Sequence, residues 1–342
     1  MTPESTWMFA EAGEAAAMVA AQLADNRDQV DSLAERLRSS PPPVVLTCAR
    51  GSSDHAATFA KYLVETRLGV ITASLAPSVA SVYGAAPRAA GALCLAISQS
   101  GKSPDLLATV RAAKKAGAYC VALVNVPDSP LAELADSFIP LMAGPERSVA
   151  ATKSYIASLA AIIDLAAAWS GDAILADALA AAPTLLRQAW AADWSPMKER
   201  LRHAQGLYVI GRGIGLGIAQ EAALKFKETC GLHAEAFSAA EVRHGPMALV
   251  GPGFPLLVFR QSDETGSSID ELVSETVARG GEVLVTGPAP RGAIALPSLE
   301  AHPVIEPMLQ IQSFYRAVNA LSVARGFDPD KPPNLAKVTE TI

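Results

Sequence analysis

The segment SQSGKSPD, residues 98–105, places three hydroxyls and an amide directly after a run of apolar residues typical of a buried strand. These groups belong to Ser98, Gln99, Ser100 and Ser103. Ser103 precedes a proline, a pair typical of a helix start, where free N–H groups attract phosphate. Ser52 and Ser53 follow another apolar run in the same way. Because parallel strands end at a common edge, the two clusters predict a site for a small phosphorylated polyol.

Two glycine patterns that suggest a nucleotide do not have the required spacing. The P-loop needs a glycine five residues before Gly101, where Ala96 stands. The segment GRGIGLG (211–217) lacks the dinucleotide pattern, because Leu216 and Ile218 occupy the positions of the last glycine. Serines at helix starts are also ordinary caps, so one cluster alone is equally consistent with capping. Two clusters at one sheet edge favour a ligand.

A second group of candidates consists of charged residues on one predicted helix. Glu221, Lys225 and Glu228 share a helical face at i, i+4 and i+7. One interpretation is a solvated ladder of ion pairs, worth about 0.3–0.5 kcal/mol per pair. The other is proton transfer by Glu228 and His244, which follows on a Gly-Pro turn, if the two meet in a crevice.

Composition excludes several classes of protein. The chain has 342 residues, a formal net charge of −6 and no basic run, so we expect no nucleic-acid partner. No signal peptide is predicted. No membrane span is predicted either, because Asp164 interrupts the longest apolar stretch. Four distant cysteines indicate reduced core thiols in a cytoplasmic protein. The histidines form no metal-binding motif, so we expect no metal and no cofactor.

Strand-like and helix-like runs alternate along the chain, which indicates open parallel sheets flanked by helices. Apolar runs predict strands at 44–49, 69–74, 92–98, 120–125, 137–142, 207–213, 255–261 and 282–287. Residues 8–40 predict one long helix. Gly51 and Gln99 are 48 residues apart, as are Gly213 and Gln261. This repeat predicts two similar α/β subdomains joined near 170–200.

Six stretches resemble the isomerase half of glucosamine-6-phosphate synthase (glutamine–fructose-6-phosphate aminotransferase), a tandem SIS (sugar isomerase) domain family. They are GSS (51–53), SQSGKSPD (98–105), GPERSVAATKS (144–154), EAALKFKE (221–228), HAEAFSAAEVRHGP (233–246) and NLAK (334–337). The resemblance implies two flavodoxin-like SIS subdomains, each a parallel sheet flanked by helices. The expected parts are an N-terminal helical segment (1–40), SIS domain 1 (41–170), a connecting helical segment (171–200), SIS domain 2 (201–326) and an ordered C-terminal tail (327–342) that closes the site.

The resemblance also implies a role for each candidate residue. The sugar phosphate and hydroxyls would be held by Ser52, Ser53, Ser98, Gln99, Ser100 and Ser103. Val149 would line the sugar. Glu228, supported by Lys225, would move a proton between sugar carbons 1 and 2. His244, from this subunit or from its partner in a homodimer, would help to open the ring. Lys337 would lie beside carbon 2 and form an imine with a ketose.

Departures from the synthase pattern define the expected reaction. The synthase begins with a glutaminase domain and its nucleophilic cysteine, whereas this sequence has no cysteine before Cys48. We therefore expect isomerisation in reverse: deamination of glucosamine 6-phosphate to fructose 6-phosphate and ammonia, as in stand-alone SIS-type deaminases. Lys102 and Ala151 stand where the synthase has a glutamate and a serine, which leaves the substrate open. The alternatives are a plain sugar-phosphate isomerase, a fructosamine-6-phosphate deglycase and a non-catalytic sugar-phosphate sensor.

Overall fold

The protein is described by a computed structural model over residues 1–337, and within these residues ten strands form two five-stranded parallel sheets. The first sheet consists of β1 (Val45–Cys48), β2 (Thr72–Ser74), β3 (Leu93–Ser98), β4 (Tyr119–Val124) and β5 (Ser137–Pro140). The second consists of β6 (Gly206–Gly211), β7 (His233–Ser238), β8 (Pro255–Val258), β9 (Glu282–Thr286) and β10 (Ile294–Leu296). Most of their residues are buried, as expected for sheets covered by helices on both faces.

The α-helices of the described residues, in chain order, are α1 (Trp7–Gly13), α2 (Ala15–Asp25), α3 (Arg27–Ser39), α4 (Ser52–Leu68), α5 (Pro77–Ser81), α6 (Pro104–Lys115), α7 (Pro130–Leu134), α8 (Lys153–Ser170), α9 (Ala173–Ala191), α10 (Ser195–Leu201), α11 (Gly215–Cys230), α12 (Gly266–Ala278) and α13 (Glu306–Ala324). The single helix predicted over 8–40 is wrong, because three helices replace it. The chain bends at Asn26, a buried residue whose side-chain amide donates a hydrogen bond to the Pro140 carbonyl of β5 at 2.7 Å.

Both sheets have the same strand order. The first runs β2-β1-β3-β4-β5 and the second β7-β6-β8-β9-β10, all parallel. This is the flavodoxin-like order, so the predicted α/β fold with two similar subdomains is confirmed. In such a sheet ligands bind where the order reverses, beyond the carboxyl ends of the two strands that flank this point. These strands are β1 and β3 in the first sheet, and β6 and β8 in the second.

Contacts divide the chain into two compact units. The first-sheet unit contains 17–146, 154–180, Ala336 and Lys337, and the second-sheet unit contains 1–16, 147–153 and 181–335. The N-terminal helix α1 therefore belongs with the second sheet. This division assigns the candidate residues as well: the serines and Lys337 lie in the first-sheet unit, whereas Val149, Lys225, Glu228 and His244 lie in the second-sheet unit.

The sequence analysis missed β7, β10, α7 and α12. No strand was predicted at β7, where HAEAFS carries a histidine and a glutamate and has no continuous apolar run. It pairs on one side with β6, in register from Gly206 opposite His233 to Gly211 opposite Ser238, and ends the sheet on the other side. An edge strand tolerates exposed polar side chains, and both His233 and Glu235 are exposed.

The four cysteines are free and buried, as predicted for core thiols: Cys48, Cys94, Cys120 and Cys230. Cys94 and Cys120 lie opposite each other on β3 and β4. None of the helices in residues 1–337 has the length and apolar character needed to cross a membrane.

Asp164, on the otherwise apolar helix α8, is expected to make stability depend on pH. It lies beside a cavity of about 290 Å³ also lined by Arg27 and Asp31. Burial, with a smaller contribution from Asp31 and against the attraction of Arg27, raises the pKa of Asp164 to about 6. The folded state thus binds a proton that the unfolded state releases, and stability is lost as pH rises from about 4 to about 6.

Asp164→Asn is therefore expected to raise the free energy of unfolding by ~1–3 kcal/mol at pH 8 and to leave it unchanged at pH 4. Chemical denaturation at the two pH values measures the difference. Asp177→Asn, an exposed carboxylate on α9, is the matched control and should change neither value. Equal effects of Asp164→Asn at both pH values would contradict the prediction.

Candidate functional site

The loop from β3 to α6 contains most of the predicted phosphate-binding residues. The Ser98 hydroxyl accepts a hydrogen bond from the Gly101 N–H at 3.0 Å, and the Gly101 carbonyl accepts one from the Leu131 N–H at 3.1 Å. Gly101 has a φ of +65°, a conformation that favours glycine. Ser100 accepts a bond from the Lys102 N–H at 3.3 Å. The loop is thus fixed by its own hydroxyls and by the segment before α7.

Ser103 occupies the N-cap position of α6, but its side chain does not cap the helix. Among residues 1–337, neither Ser103 nor Ser53 uses its hydroxyl in a hydrogen bond. Both residues are only half-buried. Capping therefore does not explain Ser103, whose hydroxyl is available to an anion, whereas the Leu106 N–H in the first turn of α6 already donates to the Asp105 carboxylate at 2.7 Å.

The second serine cluster lies next to the first. Gly51, with a φ of +55°, turns the chain from β1 into α4, and Ser52 and Ser53 are the first two residues of that helix. The guanidinium of Arg50, just before this turn, donates to the carboxylate of Asp105 at 2.7 and 2.9 Å. Asp105 is buried in the first turn of α6. This ion pair, which the sequence analysis did not identify, joins the starts of α4 and α6 beyond the carboxyl ends of β1 and β3.

Gly101→Ala is expected to lower the free energy of unfolding by about 2–4 kcal/mol, combining backbone strain with overpacking. A Cβ at this position would lie 2.3 Å from Ser129 Oγ and 2.6 Å from Ser129 Cβ. Gly171→Ala is the matched control, because Gly171 has a φ of +70° and no atom within 4 Å of a Cβ. The control should lose only the free energy due to backbone strain, about 1 kcal/mol. Equal losses in the two variants, measured by denaturation, would contradict the predicted packing.

The second sheet has a loop in the corresponding position, but it contains carboxylates. Gln261, like Gln99, precedes the first residue of the following helix by five residues, since α12 begins at Gly266 and α6 at Pro104. Ser262 donates its N–H and its hydroxyl to the Glu306 carboxylate, both at 2.7 Å. The Asp263 carboxylate accepts the Thr265 N–H at 2.9 Å and its hydroxyl at 2.5 Å. These carboxylates disfavour an anion and occupy the donors of the loop, so the second-sheet loop is poorly suited to phosphate.

The charged residues of α11 form a buried cluster and not a solvated ladder. Lys225 Nζ lies 2.6 Å from Glu228 Oε2 and 3.3 Å from Glu221 Oε1. The side chains of Lys225 and Glu221 are 1% and 0% exposed, whereas that of Glu228 is 20% exposed. Glu228 is therefore the one carboxylate of the cluster that a substrate can reach.

Tyr315, on α13, extends this cluster, and its hydroxyl donates to Glu221 Oε1 at 3.0 Å. Burial by itself disfavours the ammonium of Lys225, but the adjacent carboxylates of Glu221 and Glu228 outweigh it, so the pKa of Lys225 is raised. Lys225 is thus a permanent cation beneath Glu228. Spacing along α11 identified three members of the cluster, but Tyr315 is 94 positions from Glu221 and had no local signal.

His244 lies at the end of a short 3-10 turn formed by Glu241–Arg243, and it is exposed. Within residues 1–337 no hydrogen bond or ion pair joins its imidazole to Glu228. The proposed meeting of these two side chains in a crevice is therefore not seen in the chain, and the role of His244 stays a prediction.

Lys337 lies beside a buried carboxylate of the first-sheet unit. Its Nζ is 3.1 Å from Glu146 Oε2, and the Glu146 side chain is 0% exposed. Glu146 also accepts the Ser154 hydroxyl at 2.7 Å and the Ser154 N–H at 3.2 Å. The sequence analysis missed Glu146, which is 191 positions from Lys337. The predicted tail extends to Ile342, and its last residues, 338–342, lie outside the described residues.

Val149, predicted to line the sugar, is half-buried in the second-sheet unit. Its N–H donates to the Asp330 carbonyl at 3.3 Å, so the segment around it is held by the residues that precede the tail.

The two sheets, their strand order and the serine-lined loop define a class of phosphosugar-binding α/β proteins, and comparison with known proteins agrees. A model of the SIS domain matches residues 42–168 and 200–299, so the chain belongs to the SIS domain family. The isomerising glutamine–fructose-6-phosphate aminotransferase of Aeropyrum pernix is 36% identical over 317 residues, 86% of this chain and 50% of the relative. The chain thus spans about half the length of the curated relatives it matches.

Two solved structures show how far the similarity extends. A candidate phosphosugar isomerase from Silicibacter pomeroyi DSS-3 is 44% identical with a TM-score of 0.91, over 95% of this chain and 100% of that one. The C-terminal domain of the glucosamine–fructose-6-phosphate aminotransferase of Francisella tularensis is 25% identical with a TM-score of 0.87, over 96% of this chain and 98% of that one. The resemblance found in the sequence is confirmed. Membership of this phosphosugar isomerase family supports the prediction that the protein is an enzyme.

Proposed function

We propose that this protein isomerises a 6-phosphorylated sugar between its aldose and ketose forms and couples this step to amine chemistry. The specific reaction we propose is glucosamine 6-phosphate plus water to fructose 6-phosphate plus ammonia. The observation that carries the proposal is the ion pair between Lys225 and Glu228, which presents one accessible carboxylate above a buried cation. A proton shuttle between adjacent carbons needs a positioned base that the substrate can reach, and Glu228 supports this role because it is held by Lys225 and remains partly exposed.

Binding begins with the phosphate. Ser52, Ser53, Ser98, Gln99, Ser100 and Ser103 offer hydroxyls, an amide and the N–H groups of two helix starts. An anion is stabilised there by hydrogen bonds and by the positive ends of α4 and α6. Val149 lines the sugar, and His244 assists ring opening by moving a proton between the ring oxygen and the hydroxyl on carbon 1. These roles support positioning of the open chain before the chemical step.

Glu228 then removes the proton from carbon 2 of the open-chain amino aldose. The electrons form a carbon 1–carbon 2 double bond while the carbonyl oxygen on carbon 1 takes up a proton, which gives an enolamine. The proton then returns from Glu228 to carbon 1 as the amine gives up an N–H proton, which leaves a hydroxyl on carbon 1 and an imine at carbon 2. Water adds to the imine and ammonia leaves, so the products are fructose 6-phosphate and ammonia. Lys225 stabilises the negative charge of Glu228 before the proton is taken. Atoms balance without a redox partner or cofactor.

When the ketose is the substrate, the amine of Lys337 forms an imine with it. Its primary amine can add to the carbonyl at carbon 2 of fructose 6-phosphate and lose water to form an imine. The carboxylate of Glu146 lies 3.1 Å from Lys337 Nζ, where it can take up the proton of the lysine. We also propose a homodimer, in which His244 of one subunit serves the other, and a cytoplasmic location.

The alternatives differ in the fate of the amine. A plain isomerase uses the same shuttle without releasing ammonia, a fructosamine-6-phosphate deglycase releases an amino acid, and a sensor only binds. The curated relatives are named for aminotransfer to fructose 6-phosphate with isomerisation, which favours amine chemistry at carbon 2. Half of each relative's length has no counterpart in the match, so use of glutamine forms no part of the proposal.

The test is a panel of 6-phosphosugars in deuterated water, with glucosamine, galactosamine, glucose and fructosyl-amino-acid phosphates. Ammonia and deuterium at carbon 1 of fructose 6-phosphate, with glucosamine 6-phosphate as substrate, would support the proposal. Isomerisation of glucose 6-phosphate without ammonia from any amine would identify a plain isomerase. Release of an amino acid would identify a deglycase. Binding without deuterium incorporation in any sugar would leave only the sensor.

A further inference from the structure

Helix α1 lies against the segment 147–153, far from it in sequence but in the same unit. The carboxylate of Glu11, on α1, is 4% exposed. It accepts the N–H of Arg147 at 2.5 Å and the N–H of Ser148 at 3.2 Å. Two consecutive backbone donors therefore meet one buried carboxylate, and such charge-assisted bonds are among the strongest a loop can form.

Further contacts hold both ends of the same segment. The Arg147 guanidinium lies over the Trp7 ring, 4.5 Å from its centre. At the far end, Lys153 Nζ is 2.7 Å from Glu14 Oε2. Two residues of α1 and one just past its end therefore contact a segment that has no regular secondary structure until α8 begins.

The residues before the C-terminal tail close the arrangement from the other side. The Val149 N–H and the Ser148 hydroxyl donate to the carbonyls of Asp330 and Pro329, at 3.3 and 3.5 Å. The Asp330 carboxylate accepts the first N–H groups of α1, from Trp7 at 2.6 Å and Met8 at 2.7 Å. The segment 147–149 is thus fixed between α1 and residues 329–330, and α1 is fixed by Asp330.

We propose that Glu11 is a positioning residue for the sugar-lining segment 147–149. This inference rests on the proposed function, in which Val149 lines the sugar. Glu11 contributes no chemistry of its own. It holds two N–H groups that lie immediately before Val149, so its loss moves a binding surface and not the proton shuttle. Loss of Glu11 therefore weakens binding of the ground state and of the transition state alike, which raises KM and leaves kcat unchanged.

Glu11→Gln tests the proposal, because the amide has one oxygen acceptor where the carboxylate has two. We expect KM for the sugar phosphate to rise roughly tenfold, with kcat within about threefold of the wild type. Backbone amides of 147–149 should exchange with deuterium faster, as read by mass spectrometry. Glu4→Gln, an exposed glutamate just before α1, is the matched control and should leave both readouts unchanged.

Unchanged KM and unchanged exchange in Glu11→Gln would overturn the proposal, and so would a fall in kcat at constant KM. If Glu11→Gln does not fold, Glu11→Asp keeps the charge on a shorter side chain, and the same two readouts decide. The exchange measurement does not depend on turnover. A wild type without activity on any sugar phosphate would therefore refute the proposed function, while exchange at 147–149 still decides whether Glu11 holds the segment.

Discussion

Glu228→Gln is expected to lower kcat for sugar-phosphate isomerisation by about 10³-fold, within the range that general base catalysis contributes. The amide has the shape of the carboxylate but cannot accept a proton from carbon. Binding should change little, because the phosphate contacts we propose lie in the serine loops. We therefore expect KM within about threefold of the wild type, and no deuterium at carbon 1 of the product.

Glu271→Gln, an exposed carboxylate on α12, is the matched control for Glu228→Gln and should have wild-type kinetics. Steady-state rates and the proton-exchange rate in deuterated water are measured for both variants. If Glu228→Gln kept more than a tenth of the wild-type rate, another group would have to remove the proton. That result would refute the proposed role of Glu228 but not the proposed sugar-phosphate site.

The second large effect is expected for Lys225→Met, which should lower the free energy of unfolding by about 3–5 kcal/mol. Methionine fills much of the same volume but leaves the fully buried Glu221 carboxylate, 3.3 Å from Lys225 in the wild type, without this cation. The hydrogen bond from Tyr315 is expected to compensate only in part. Turnover should also fall, because Glu228 loses the ammonium that lies 2.6 Å away.

Lys227→Met, on the exposed side of α11, is the matched control and should cost less than about 0.5 kcal/mol. The double variant Glu221→Gln/Lys225→Met removes the uncompensated charge, so it should recover part of the loss. A double-mutant cycle by urea denaturation measures this coupling. A loss below about 1 kcal/mol for Lys225→Met, or a strictly additive cycle, would show that the buried ion pair does not stabilise the fold.

Local patterns were sufficient to predict the sheets and the serine loops. Eight of the ten strands in residues 1–337 were short apolar runs, and Ser103 with Pro104 marked a helix start that the structure places at Pro104. The repeat of the Gly51-to-Gln99 spacing in the second half predicted two similar α/β subdomains. The helix predicted over 8–40 is interrupted at two points, one of them Asn26, whose side chain is bonded to a strand carbonyl that no local pattern reveals.

Contacts between distant residues could not be predicted in the same way. The three charges on α11 were identified by spacing, but their burial depends on α13, which brings Tyr315 to Glu221. Lys337 was assigned by resemblance, whereas Glu146 beneath it was not, because glutamates are common and this one is distinguished only by its burial. The same holds for Glu11, whose partners are backbone N–H groups without any sequence signature.

The two halves of the chain also differ in how completely their strand-end loops are satisfied. In the second half, the carboxylates of Glu306 and Asp263 accept the N–H groups and hydroxyls of Ser262 and Thr265. In the first half, the Asp105 carboxylate accepts the Leu106 N–H at 2.7 Å, whereas the Ser103 hydroxyl has no such acceptor within residues 1–337. A phosphate ester bound at Ser103, as we propose, would occupy this hydroxyl only in the folded state, so substrate binding is expected to raise the free energy of unfolding of this half.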